Sequence, residues 1–159
     1  MEASRSITKE AQADARRFAQ KAISLYPGYS APQCIGFVCT VEARHGSARD
    51  KDAALQEARA CAKRALEIDS FNPEAHAIDG FADAIDGKIE SAIENFSKAL
   101  ALSPNHADVA ARLSLTLSFS GQIKEAIRVA RQAITQNPHY AGWYAGILGF
   151  ALRLAGNYD

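Results

Sequence analysis

Residues 73–106 read PEAHAIDGFADAIDGKIESAIENFSKALALSPNH, and residues 107–140 read ADVAARLSLTLSFSGQIKEAIRVARQAITQNPHY. Laid one over the other, these stretches set Gly87 on Gly121, Ala92 on Ala126, Ala99 on Ala133, Leu100 on Ile134 and Pro104 on Pro138, a constant step of 34 residues. The same step reaches one unit upstream, to Ala58, Ala65 and Leu66. A period of this length marks an array of two-helix units, each burying its apolar face only against its neighbours. Arrays of this kind usually bind rather than catalyse, so the expected activity is protein recognition.

Apolar residues and alanines recur at three- and four-residue steps along almost the whole chain, the pattern of amphipathic helices. No run of alternating β-branched residues predicts a strand. Gly and Pro punctuate the pattern, and the pieces predict eight helices at about 5–26, 30–44, 52–68, 73–86, 89–102, 107–119, 122–136 and 140–155. Short turns predict antiparallel neighbours. The long connection is 44–52: Ala15 and Ala58 are 43 residues apart, one period plus a nine-residue insertion.

These residues resemble the tetratricopeptide repeat, whose pattern places a small residue in the first helix, Gly at the turn, Ala–large apolar–Ala in the second helix, and Pro after it. Residues 73–106 match it with Gly80, Gly87, Ala92, Phe96, Ala99 and Pro104, and 107–140 with Ser114, Gly121, Ala126, Ala130, Ala133 and Pro138. From 141 a third copy starts, with Gly149, Gly156 and Tyr158. The resemblance implies an all-α fold, a right-handed α-solenoid of antiparallel helix pairs forming a single array over 1–159. Its parts would be a partial repeat 5–27, a repeat 28–72 with the inserted loop 44–52, repeats 73–106 and 107–140, and a truncated repeat 141–159. The order of these parts also resembles the repeat region behind bacterial class III adenylate/guanylate cyclase domains and in related transcriptional regulators. A larger signalling protein is the context this implies.

In this family the first helix of each unit lines a concave groove. The resemblance carries that role to Glu74, Ala77, Phe81, Ala84 and Ile85, then to Asp108, Ala111, Leu115, Ser118 and Phe119, then to Trp143, Gly146, Phe150 and Arg153. In the earliest unit Cys34, Val38 and Val41 are the expected contributors. A subclass that clamps the C-terminal carboxylate of heat-shock chaperones needs Lys and Asn where Ala77 and Phe81 stand, so that ligand is not expected. An apolar helix or extended segment of another protein fits better, with aromatic anchors and Glu74, Asp108, Arg112 and Arg153 setting register. Phe81, Phe119 and Phe150 have a second reading, as packing between units, and both readings stand at this stage.

Composition narrows the remaining classes. The 18 Lys and Arg balance 18 Asp and Glu among 159 residues, so no basic excess points to nucleic acid or an anionic membrane. No apolar stretch reaches the ~20 residues that span a bilayer, and residues 1–10 lack a secretory pattern. Three cysteines without framework spacing fit a reducing cytoplasm. His45, His76, His106 and His139 offer no i, i+4 pair for a metal; they are expected at the surface or capping helices. Cys34 and Cys39 fall on different faces of one helix, and Cys61 is a small packing residue. The carboxylate pairs near Asp79, Asp83 and Asp86 lack the pocket that acid–base work needs. No catalytic, cofactor or metal site is therefore expected. The chain stops where a second helix would begin, so Ala145, Leu148, Leu152 and Ala155 are expected to face water unless a second copy covers them. Self-association through that helix is the alternative function.

Overall fold

The computed structural model describes residues 9–28, 32–46, 48, 50–137, 139 and 142–156. Eight helices and no strand occur among them. The chain divides into two compact units, Met1–Ser70 and Phe71–Asp159.

The first unit holds α1 (Lys9–Leu25), α2 (Pro32–His45) and α3 (Lys51–Ile68). Helix α2 packs on both α1 and α3. Its core is built from small side chains: Ala54, Ala58, Cys61, Ala62 and Ala65 of α3 are buried together with Ile35, Cys39 and Ala43 of α2. Such residues let helix backbones approach closely. Val38 and Val41, expected on a groove, are instead part of this core; the side chain of Cys34 lies outside the described residues. The connection between α2 and α3 is shorter than the expected 44–52. Helix α2 continues to His45 and α3 starts at Lys51. Asp50 explains the early start: its carboxylate accepts from the Asp52 and Ala53 amides at 2.9 and 3.1 Å, satisfying donors a helix start leaves open.

Arg16 joins the three helices of this unit. Its guanidinium donates to Glu42 of α2 at 2.9 Å and to Glu57 of α3 at 2.8 Å. A further bond reaches the Cys39 sulfur at 3.2 Å. Burial pushes the Cys39 thiol up to about 12 and raises Cys61 as well, so both thiols stay protonated and unreactive.

The second unit holds α4 (Pro73–Ile85), α5 (Ile89–Leu102), α6 (Ala107–Phe119), α7 (Ile123–Gln136) and α8 (Trp143–Leu154). Helices α4 and α5 form one hairpin, α6 and α7 the next, and α8 packs on α6 and α7. Each hairpin turns through a glycine at positive φ, 75° at Gly87 and 80° at Gly121. There the Lys88 amide bonds back to the Asp83 carbonyl and the Gln122 amide to that of Leu117, both at 2.9 Å. This αL cap closes the orphan carbonyls of the helix end and favours glycine. Asn72 opens α4 by accepting from the Ala75 amide, with Pro73 at the first helical position, where its missing N–H costs nothing.

Candidate functional site

Helix α6 touches α4 on one side and α8 on the other, so the first helices of successive hairpins stand side by side. Two polar links fix their register. His106 and Glu74 lie 2.7 Å apart, Nε2 to Oε1. His106 also caps α6, its Nδ1 accepting from the Val109 amide at 3.4 Å. The Tyr144 hydroxyl of α8 donates to Asp108 of α6. Tyr144 is buried, and burial first, then this bond, pushes its phenol up to about 12.

Aromatic side chains occupy the same face. The Arg112 guanidinium lies 3.8 Å above the centre of the Phe81 ring and 5.6 Å from that of Trp143, a cation–π arrangement linking α4, α6 and α8. Trp143 packs edge-on against Tyr144 at 4.6 Å. Farther along, the Phe119 and Phe150 rings are 5.6 Å apart, within the favoured range for aromatic pairs. Arg153 stands 5.8 Å from the Phe150 ring.

Hairpins of 34-residue step with αL glycine caps and small residues at their crossings are what one repeat family uses. Residues 84–145 match the family model for the tetratricopeptide repeat. The chain thus carries tetratricopeptide repeat sequence over residues 84–145. Its fold is similar to that of a thermophilic tetratricopeptide-repeat protein of Thermus thermophilus, with a TM-score of 0.70 at 19% identity over 93% of this chain and 73% of that one. It is also similar to the second such domain of human RPAP3, solved with the HSP70 peptide SGPTIEEVD, with a TM-score of 0.57 at 19% identity over 73% of this chain and 97% of that domain. In sequence it is 28% identical over 125 residues to the transcriptional regulator HilA of Salmonella typhimurium. That match covers 79% of this chain and 22% of the regulator, so the chain spans about a fifth of the relative's length.

The expected groove residues separate by exposure. Phe119 is 63% exposed and Trp143 39%. Ala77, Ala84, Ile85, Leu115 and Phe150 are half-buried, while Glu74, Asp108, Gly146 and Arg153 are exposed. Phe81 is 3% exposed and Ala111 1%. Ser118 is also buried, donating to the Ser114 carbonyl. These three are therefore corrections: Phe81 sits beneath Arg112, while Ala111 and Ser118 lie within the core of the unit. Tyr144, which the repeat register did not single out, is the residue that holds Asp108. On α8, Ala145 and Ala155 are exposed, Leu148 and Leu152 half-buried. Among the described residues no group of three or more His, Cys, Asp or Glu gathers as a metal site. No described helix is long and apolar enough to cross a membrane.

Proposed function

We propose that this chain is a protein-interaction module and that the α4–α6–α8 face captures an apolar segment of another polypeptide. The observation carrying this reading is the row Trp143, Phe119 and Phe150 on that face, solvent-accessible and backed by the Arg112–Phe81 stack. Large rings left in water along one face are unusual for a surface with no partner, and they are frequent energetic anchors. The RPAP3 domain with its bound peptide supports a groove mode for the fold. With Ala77 and Phe81 in place of the chaperone-clamping Lys and Asn, the ligand here is apolar in its main contacts. The module belongs, in this reading, to a larger cytoplasmic regulatory protein of bacteria. The similarity to HilA supports a transcriptional regulator, and a class III cyclase is the other parent the repeat order suggests.

Selection of a random peptide library on the immobilised chain tests the groove. Apolar peptides should be enriched and then released by Phe119→Ser. The alternative, self-association through α8, draws on exposed Leu154, Ala145 and Ala155. Sedimentation velocity over a wide concentration range separates the two. A dimer abolished by Leu154→Glu, with no peptide enrichment, would replace the groove reading.

A further inference from the structure

The charges on the α4–α6–α8 face are unequally occupied. Both carboxylates that the repeat register places there already hold an internal partner, Glu74 in His106 and Asp108 in Tyr144. The cations are held differently. Arg112 stacks on Phe81, and Arg153 leans on Phe150 with no carboxylate partner among the described residues. A guanidinium against a ring uses its π-face, and its in-plane N–H fork remains the part that receives a carboxylate. Among the described residues the face therefore offers apolar rings beside a cation that no carboxylate neutralises.

We infer that the segment captured by this face carries an Asp or Glu side chain next to its apolar anchor, the anchor seated at Phe119 and Phe150 and the carboxylate received by Arg153. This rests on the interaction reading above and names its ligand class. Three observations favour it over a purely apolar segment. Arg153 lies in the last turn of α8, directly beside the ring pair. Glu74 and Asp108 lie in the first turns of α4 and α6, whereas Phe119 ends α6, about 16 Å along the axis from Asp108, so the face carboxylates are set away from the ring pair. A basic segment seated at the ring pair would meet Arg153 at close range, with neither face carboxylate beside it.

The test is selection of a random, C-terminally amidated peptide library on the full wild-type chain and on Arg153→Glu, with circular dichroism checking that the variant is helical. Wild type should enrich Asp or Glu within a few positions of Phe, Leu or Trp. The variant should enrich Lys or Arg at that position instead. For one enriched peptide, Asp→Asn should weaken binding roughly five- to tenfold at low salt, and the difference should shrink as ionic strength rises. Apolar enrichment with no acidic bias, or an acidic bias kept by Arg153→Glu, would overturn this inference and leave the interaction reading standing. No enrichment of any kind would overturn both. Should a free C-terminal carboxylate prove necessary for binding, the side-chain assignment falls as well.

Discussion

Gly80 packs against the Phe96 ring so closely that a Cβ at residue 80 would stand 2.9 Å from Phe96 Cδ1. One period later the pair becomes Ser114 and Ala130, and the space freed by the missing ring admits a hydroxyl. Ser114 Oγ donates to the Ala126 carbonyl of α7 at 2.8 Å. The two hairpins solve one crossing with opposite size choices. Gly80→Ala is expected to destabilise the second unit by about 1–3 kcal/mol through overpacking, and Phe96→Ala by about 3–5 kcal/mol through the cavity. The double variant Gly80→Ala with Phe96→Ala should cost clearly less than the two single changes together, because each relieves the other. Thermal melts of the four proteins measure this, and strict additivity would refute the size exchange.

Arg16 is the second place where one side chain organises several helices. Replacing it with Met leaves Glu42, whose side chain is 17% exposed, without this donor. A loss of about 1–3 kcal/mol is expected from the lost charge-assisted bonds to Glu42 and Glu57. Arg16→Lys should recover only part of this, since one ammonium cannot serve Glu42 and Glu57 as a fork does. The pH dependence has a definite sign. The Arg16 hydrogen bond holds the Glu57 carboxyl below its ordinary value, so its contribution is present above the unfolded pKa of about 4.3 and is lost as pH falls through the lower folded value. Amide exchange in α1 to α3 should show this acid loss in wild type, diminished in Arg16→Met.

His106 and Glu74 titrate in opposite directions. The hydrogen bond between them raises His106 and lowers Glu74. The His106 contribution is therefore complete below the unfolded pKa of about 6.5 and is lost as pH rises through the raised folded value. That of Glu74 is complete above about 4.3 and is lost on acidification. The pair is strongest between those limits. Protonating Nδ1 removes the long bond from the Val109 amide but keeps the shorter one to Glu74, so the pair prevails. Proton NMR should give His106 a pKa above 6.5, falling toward or below that value in Glu74→Gln; an unchanged value would show that the pair does not form in solution.

The eight helices are legible because the 34-residue step repeats small residues and glycines wherever backbones must cross or turn, and those demands are local. Exposure is not, because it depends on what a neighbouring helix lays over a position. Phe81 and Phe119 hold different register positions, Phe81 matching Leu115 and Phe119 matching Ile85, but the period does not say that Arg112 lies over the first of them. Val38 and Val41 escape correct placement because Pro27 to Gly36 spans nine residues where Pro104 to Ser114 spans ten, which blurs the register of α2. Asp50 hides part of that insertion by capping α3 early. The bond from Tyr144 to Asp108 spans 36 residues and so escapes a comparison made at the 34-residue step.

The contrast between the two rings gives the sharpest test. Phe81, covered by Arg112 and 3% exposed, should act as core: Phe81→Ser removes a buried ring, inserts a hydroxyl, and is expected to cost about 3–5 kcal/mol. For a chain of this size that corresponds to a fall in Tm of roughly ten degrees. Phe119, 63% exposed, has little to lose on truncation. Phe119→Ser should shift stability by no more than about 0.5 kcal/mol while removing half of the Phe119–Phe150 ring pair. Peptides selected on wild type should then bind the folded Phe119→Ser protein at least roughly tenfold more weakly, in the range of a central aromatic anchor. Equal stability losses in the two variants would place Phe119 in the core as well. Unchanged peptide affinity in Phe119→Ser would move the binding site off this face.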